Sequence, residues 1–172
     1  MFRIIPIVLV STMLLGCSNG TTSSSHPEIS RSVQAGFSLG NYTLYRLNGD
    51  RYPGSPVPEG SELLHGWEIL ESCNIQSSYD RARLFKAFRE GEEEMSGNDR
   101  VAVDCFQPRH AIRTVVNDLT TDYLICFQCS NYMVWTNGEQ TGGGSTTDSP
   151  EKTFNAMLAD CGADGNLHSD PK

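Results

Sequence analysis

Two stretches, residues 101–116 and 122–135, are dense in Val, Ile, Phe, Tyr and Trp and flank Asn117-Asp118. Side chains of this kind suit a pleated, half-buried surface, and Asn and Asp accept the left-handed backbone of a two-residue hairpin turn. The pair therefore predicts an antiparallel hairpin. With Asn117-Asp118 as its loop, Arg113 faces Asp122 and Ile112 faces Tyr123. An ion pair and an apolar pair stand where cross-strand neighbours meet, so the register is locally sensible.

Around this hairpin the chain supplies the remaining layers. Residues 42–47 read as a strand ending at the turn Asn48-Gly49-Asp50, and Pro53, Pro56 and Pro58 mark a loop. Residues 67–70 read as a second short strand. Ser77 or Ser78 can cap a helix whose Leu84, Phe85 and Phe88 fall on one face. Gly91 is expected to end the periodic part of that helix, leaving Glu92-Glu93-Glu94 as a solvated end. Asn137-Gly138 makes another turn and Gly142-Gly143-Gly144 a loose crossing. Asp148-Ser149-Pro150-Glu151 opens a last helix with Phe154, Met157 and Leu158 inward, ended by Gly162. The expected architecture is one α+β domain over 37–163. It has an antiparallel sheet of four or five strands with two helices packed on one face. Residues 164–172 form a polar tail.

The N-terminus carries an address. Arg3 precedes an apolar run over residues 4–13, which is too short to span a bilayer, and Leu14-Leu15-Gly16-Cys17 closes it. These residues resemble the bacterial lipobox. The resemblance implies export, cleavage of residues 1–16, and a diacylglyceryl thioether and further acylation on Cys17. A thiolate is the common side chain nucleophilic enough for that transfer. Several acyl chains hold a protein stably where one does not. Ser18, not Asp, follows the cysteine, which favours the outer membrane of a cell that has one. Residues 17–36 are Ser/Thr-rich, cannot bury a core, and read as a tether. The expected partner is thus the membrane, through lipid on Cys17. A net charge of −8 without a basic stripe excludes nucleic acid.

The unusual chemistry lies at Cys105-Phe106-Gln107-Pro108-Arg109-His110 and Cys126-Phe127-Gln128-Cys129. Three cysteines and a histidine are a zinc ligand set, but the second segment lacks the glycines of a zinc knuckle. In an ideal ladder, moreover, His110 and Cys129 share one face while Cys105 and Cys126 share the other. Thiol redox chemistry usually places its CxxC at a helix N-terminus, not on an apolar strand. A structural reading suits an exported chain best: Cys105 near Cys126 on adjacent strands, and Cys73 tied to Cys161. His110 is then a hydrogen-bonded core or rim residue, and one cysteine is left over. Arg109 and Arg113 fall on one face and could contact an anion, although Asp122 accounts for Arg113. His65-Gly66-Trp67 is either a turn with a packed aromatic or a pocket wall.

These segments are similar to an uncharacterised family of small exported bacterial proteins. That family has a CFxPRHxIR strand, a D-x-x-ICFxC strand, a TGG or GG turn, and a final helix opened by Ser-Pro. The likeness reaches back to Leu44-Tyr45 and to His65-Gly66-Trp67-Glu68-Ile69-Leu70, and so covers about residues 42–162. It implies that the Cys/His cluster is one unit and brings no activity. Cys73 and Cys161 lie outside the family's pattern. The reading that follows is a membrane-anchored lipoprotein with a non-enzymatic binding or envelope-structural domain and no cofactor. The alternative is a zinc or thiol-redox protein built on Cys105, His110, Cys126 and Cys129.

Overall fold

The structure is a computed structural model, and it describes residues 40–96, 105–162 and 165–167. The lipobox, the tether and residues 101–104 lie outside the described residues. In chain order the elements begin with β1 (Asn41–Leu47), β2 (Leu63–Leu64), β3 (Trp67–Ile75), α1 (Ser78–Ser96) and β4 (His110–Val116). They continue with β5 (Leu119–Cys126), β6 (Asn131–Thr136), β7 (Glu139–Ser145), α2 (Glu151–Ala159) and β8 (Asn166–Leu167). The fold is α+β, with a sheet larger than four or five strands. Its main path runs β2-β3-β1-β4-β5-β6-β7, all antiparallel, and β8 adds in parallel to β3.

Two of the additional strands, β7 and β8, come from stretches with weak strand character. Residues 142–144, expected as a loose crossing, sit in β7 opposite β6. A Cβ on Gly144 would meet the Tyr132 ring at 2.7 Å, so the glycine makes room for that aromatic. In the tail, Leu167 is buried and pairs with Ile75, so residues 166–167 are sheet and not frayed polar chain. The stretch 122–135 is two strands and not one. Four residues, Phe127 to Ser130, turn the chain back, with Ser130 in the left-handed region at φ 54°. Apolar content is equal on both sides of that turn, so periodicity gave no break. Of the described part of the stretch 101–116, residues 110–116 are strand. Pro108 lacks the N–H a ladder needs, and the strand begins just after it.

The β4–β5 hairpin has the expected register, with Arg113 opposite Asp122 and Ile112 opposite Tyr123. Its turn residues Asn117 and Asp118 both have positive φ, 48° and 64°. That geometry matches the right-handed strand twist.

Side-chain alternation gives the sheet two buried faces. One carries Tyr42, Leu44, Ile112, Tyr123, Ile125 and Val134 and is covered by both helices through Leu84, Phe85, Phe88, Phe154, Met157 and Leu158. The other carries Tyr45, Leu47, Ala111 and Leu124 and is covered by Leu64 and Trp67 of the β2–β3 hairpin. Ser77 Oγ accepts from the backbone N–H of Tyr79 and Asp80 and so caps α1. The helix does not stop at Gly91. A Cβ there would meet Thr146 Oγ1 at 2.5 Å and Pro150 Cγ at 2.6 Å, so Gly91 lets α1 press on the segment before α2. The acidic run is likewise not a free end. Tyr132 OH donates to Glu92, and Thr147 and Ser149 hydroxyls donate to Glu94 at 2.6 and 2.8 Å. Those two bonds hold the Glu94 carboxyl below its ordinary range. Among the described residues no helix is long and apolar enough to cross a membrane.

Candidate functional site

The four residues of the hairpin cluster do not gather as one ligand set. His110 opens β4 on the helix-covered face, where its Nε2 is 3.0 Å from Asn155 Oδ1 of α2 and Phe127 and Phe154 pack around the ring. Burial disfavours its charged form and pulls its pKa down to about 4. Cys126 ends β5 with opposite parity, so it points toward the other face. Cys126 and Cys129 are joined as a disulfide across the Phe127–Ser130 turn, with Cα atoms 5.2 Å apart. Cys105 lies outside the strands, exposed and unpaired among the described residues, so the expected placement of Cys105 and Cys126 on adjacent strands is not formed. Among the described residues no three His, Cys, Asp or Glu side chains stand together as a metal site. Cys73 and Cys161 are bridged, which ties β3 to the chain just beyond α2 across a separation of 88 residues. Arg109, the candidate anion contact, gives its Nη2 to Asp50 at 2.7 Å.

A second cluster is better built, and it sits on the face away from the helices. Register places Arg113 of β4, Asp122 of β5 and Trp135 of β6 side by side. Asp122 is 2% exposed and accepts two bonds from Arg113, from Nε at 2.7 Å and from Nη2 at 2.9 Å. A buried carboxylate needs such partners, and a bidentate guanidinium supplies them with fixed geometry. The same bonds push the Arg113 pKa up. His65 completes the group. It occupies the turn of the β2–β3 hairpin with φ 49°, followed by Gly66 at φ 87°. The turn carries the imidazole over the sheet, where Nε2 lies 2.7 Å from Asp122 Oδ2 and the ring stacks on Trp135 at 4.1 Å. Trp135 Nε1 is buried and has no hydrogen-bond partner among the described residues.

Two partly open groups are held in place, Arg113 of this cluster and Tyr52 against Trp67. The Arg113 guanidinium lies over the Tyr45 ring, and its side chain keeps 35% of its surface. Tyr52, 61% exposed, packs on Trp67 and accepts a hydrogen bond from Gln107 Nε2 at 2.9 Å. The Arg113–Asp122 pair was legible in the sequence. The His65 and Trp135 contributions were not, because His65 arrives from 57 residues away. The one signal was His65-Gly66, a dipeptide that turns easily ahead of a large aromatic.

The site thus holds a fixed cation and a stacked imidazole, and Tyr52 is a fixed exposed phenol ring against Trp67, which covers the same face. It can donate hydrogen bonds and stack. Comparison with protein-family models, curated proteins and solved structures finds no match.

Proposed function

We propose that this chain is a lipid-anchored domain of the bacterial envelope. It is exported, cut before Cys17 and held at a membrane by acyl chains on that cysteine, with the outer membrane favoured by Ser18. The folded part binds a partner through the face that the helices leave uncovered. The observation that carries the binding reading is Arg113, partly open to solvent yet locked by two bonds to a buried Asp122. Binding draws its affinity from groups ordered in advance, because little rotamer entropy is then lost on contact. Tyr52, ordered by Trp67 and Gln107, supports the same reading, and Arg and Tyr are residues that dominate recognition surfaces.

The test has two arms. Cys17→Ser should remove lipid labelling and move the chain to the soluble fraction; full retention in the membrane with unchanged labelling would refute the anchor. A photo-crosslinking side chain in place of Gln140, the exposed ladder neighbour of Trp135, should give a discrete adduct in intact cells. That adduct should vanish in Arg113→Ala and Tyr52→Ala backgrounds. An adduct indifferent to both substitutions, or none at all, would overturn the assignment of this face.

A further inference from the structure

We propose that Cys105 is a surface shuttle for the buried Cys126–Cys129 disulfide, through which the chain oxidises an external dithiol. This goes beyond the binding reading and does not rest on it. The disulfide sulfurs belong to residues 2% and 1% exposed, so a thiol from solution has no direct approach. Cys105 is the exposed free thiol among the described cysteines. Its backbone is held near them, because its carbonyl accepts from Asn131 Nδ2 at 3.1 Å and Asn131 is the ladder partner of Cys126. Antiparallel ladder partners have Cα atoms about 5 Å apart, so Cys105 sits beside the strand end that carries the disulfide. Arg109 is tied by its backbone to Leu47 and Ile125 and Phe106 packs on Trp67, so the movement that closes on that end is confined to Cys105 itself, which lies outside the strands.

The turn also prepares a leaving group. The Cys129 backbone N–H points at Cys126 Sγ, 3.2 Å away. A hydrogen bond to sulfur favours its charged form, so Cys126 is the sulfur better able to leave as thiolate. In the first step Cys105, having lost its proton to solvent, attacks Cys129 Sγ. The Cys126–Cys129 bond breaks, a Cys105–Cys129 bond forms, and the electron pair goes to Cys126. The disulfide has then moved to an exposed sulfur without any outside oxidant. In the second step one thiolate of an external dithiol attacks Cys105 Sγ and expels Cys129 as thiolate. In the third, the other substrate thiolate attacks the substrate sulfur now bonded to Cys105. The products are the substrate disulfide and a Cys105 thiolate. Two electrons and two protons have passed to Cys126 and Cys129, which end as a dithiol.

The full chain, purified in detergent without reductant, is exposed to limiting dithiothreitol, quenched with alkylating agent at intervals and mapped by mass spectrometry. The Cys126–Cys129 bridge should open at least tenfold faster in the parent than in Cys105→Ser, whose melting should match the parent. Equal rates would overturn the proposal. A second variant tests reach directly. In Cys129→Ser treated with oxidised glutathione, Cys105 and Cys126 should pair with each other in preference to glutathione. If both carry glutathione instead, Cys105 cannot approach the buried sulfurs and the proposal fails. Should that variant not fold, the rate comparison alone decides.

Discussion

His65 Nε2 lies 2.7 Å from Asp122 Oδ2 across 57 residues of chain, while Asp122 also takes both donors of the Arg113 fork. One buried carboxylate therefore pins three elements: the β2–β3 turn, β4 and β5. Oδ2 is shared between the two neighbours, while Oδ1 accepts from Arg113.

Removing that carboxylate should cost more than removing either partner. Asp122→Ala leaves a partly buried guanidinium and an imidazole without their acceptor, and breaking such a pair from one side costs about 3–5 kcal/mol. His65→Ala leaves Arg113 and Asp122 joined, and should cost on the order of 1–2 kcal/mol, the loss of one hydrogen bond and a ring stack. Denaturant melts at neutral pH give the ordering. A His65→Ala loss equal to that of Asp122→Ala would show that the carboxylate is not the hub.

The two cysteine groups should differ in their effect on stability. The Cys73–Cys161 bridge closes a separation of 88 residues between β3 and the end of α2. In the chain-entropy model such a loop contributes on the order of 4 kcal/mol. Cys73→Ser should therefore lower the denaturant midpoint strongly, with Cys161→Ser close behind. Cys105→Ser changes an exposed side chain and should stay within about 0.5 kcal/mol of the parent. A large loss in Cys105→Ser would place that thiol in the packed structure.

Gly91 supplies a third test, because two effects oppose each other there. Within a helix, alanine is better than glycine by about 1 kcal/mol. At this position the added Cβ meets Thr146 and Pro150 at separations that demand movement of a proline ring. Overpacking of this kind costs typically about 1–3 kcal/mol, so Gly91→Ala should melt below the parent. A higher melting temperature would mean that the contact between α1 and the 146–150 segment yields easily.

Much of the sheet was legible in the sequence because its signals are local. Asn117-Asp118 carries its own turn chemistry, and Arg113 with Asp122 fixes the register beside it. The end of β5 was not legible, because Ile125 and Tyr132 on either side of the turn are equally strand-like. What reverses the chain is a left-handed Ser130 beside a disulfide, and composition shows neither. The same limit hid the candidate site. Alternation puts Asp122 and Trp135 on one face, but only packing reveals that His65 closes over them. Glu92 and Glu94 repeat the lesson: a charge run looks solvated until distant hydroxyls come to meet it.

The last prediction concerns acid. His110 is 3% exposed, its Nδ1 is buried without a hydrogen-bond partner among the described residues, and burial holds its pKa at about 4 where the unfolded chain has the ordinary value of 6.5. The depressed value means that the unfolded chain takes up a proton first as pH falls. The stability from keeping this imidazole neutral is thus fully present above pH 6.5. It is lost progressively between 6.5 and about 4, and is gone below that. The full span is on the order of 3 kcal/mol at about 1.4 kcal/mol per unit. Carboxylates held low by hydrogen bonds, such as Glu94, act in the same direction but at lower pH, since their ordinary value is 4.5. The window between pH 6.5 and 5 therefore isolates the histidine contribution. Unfolding free energies of the parent should fall across that window more steeply than those of His110→Gln. His110→Gln keeps a side chain able to donate to Asn155 Oδ1, so it should still fold for the comparison. Parallel slopes in the two proteins would show that His110 is not the group that takes the proton.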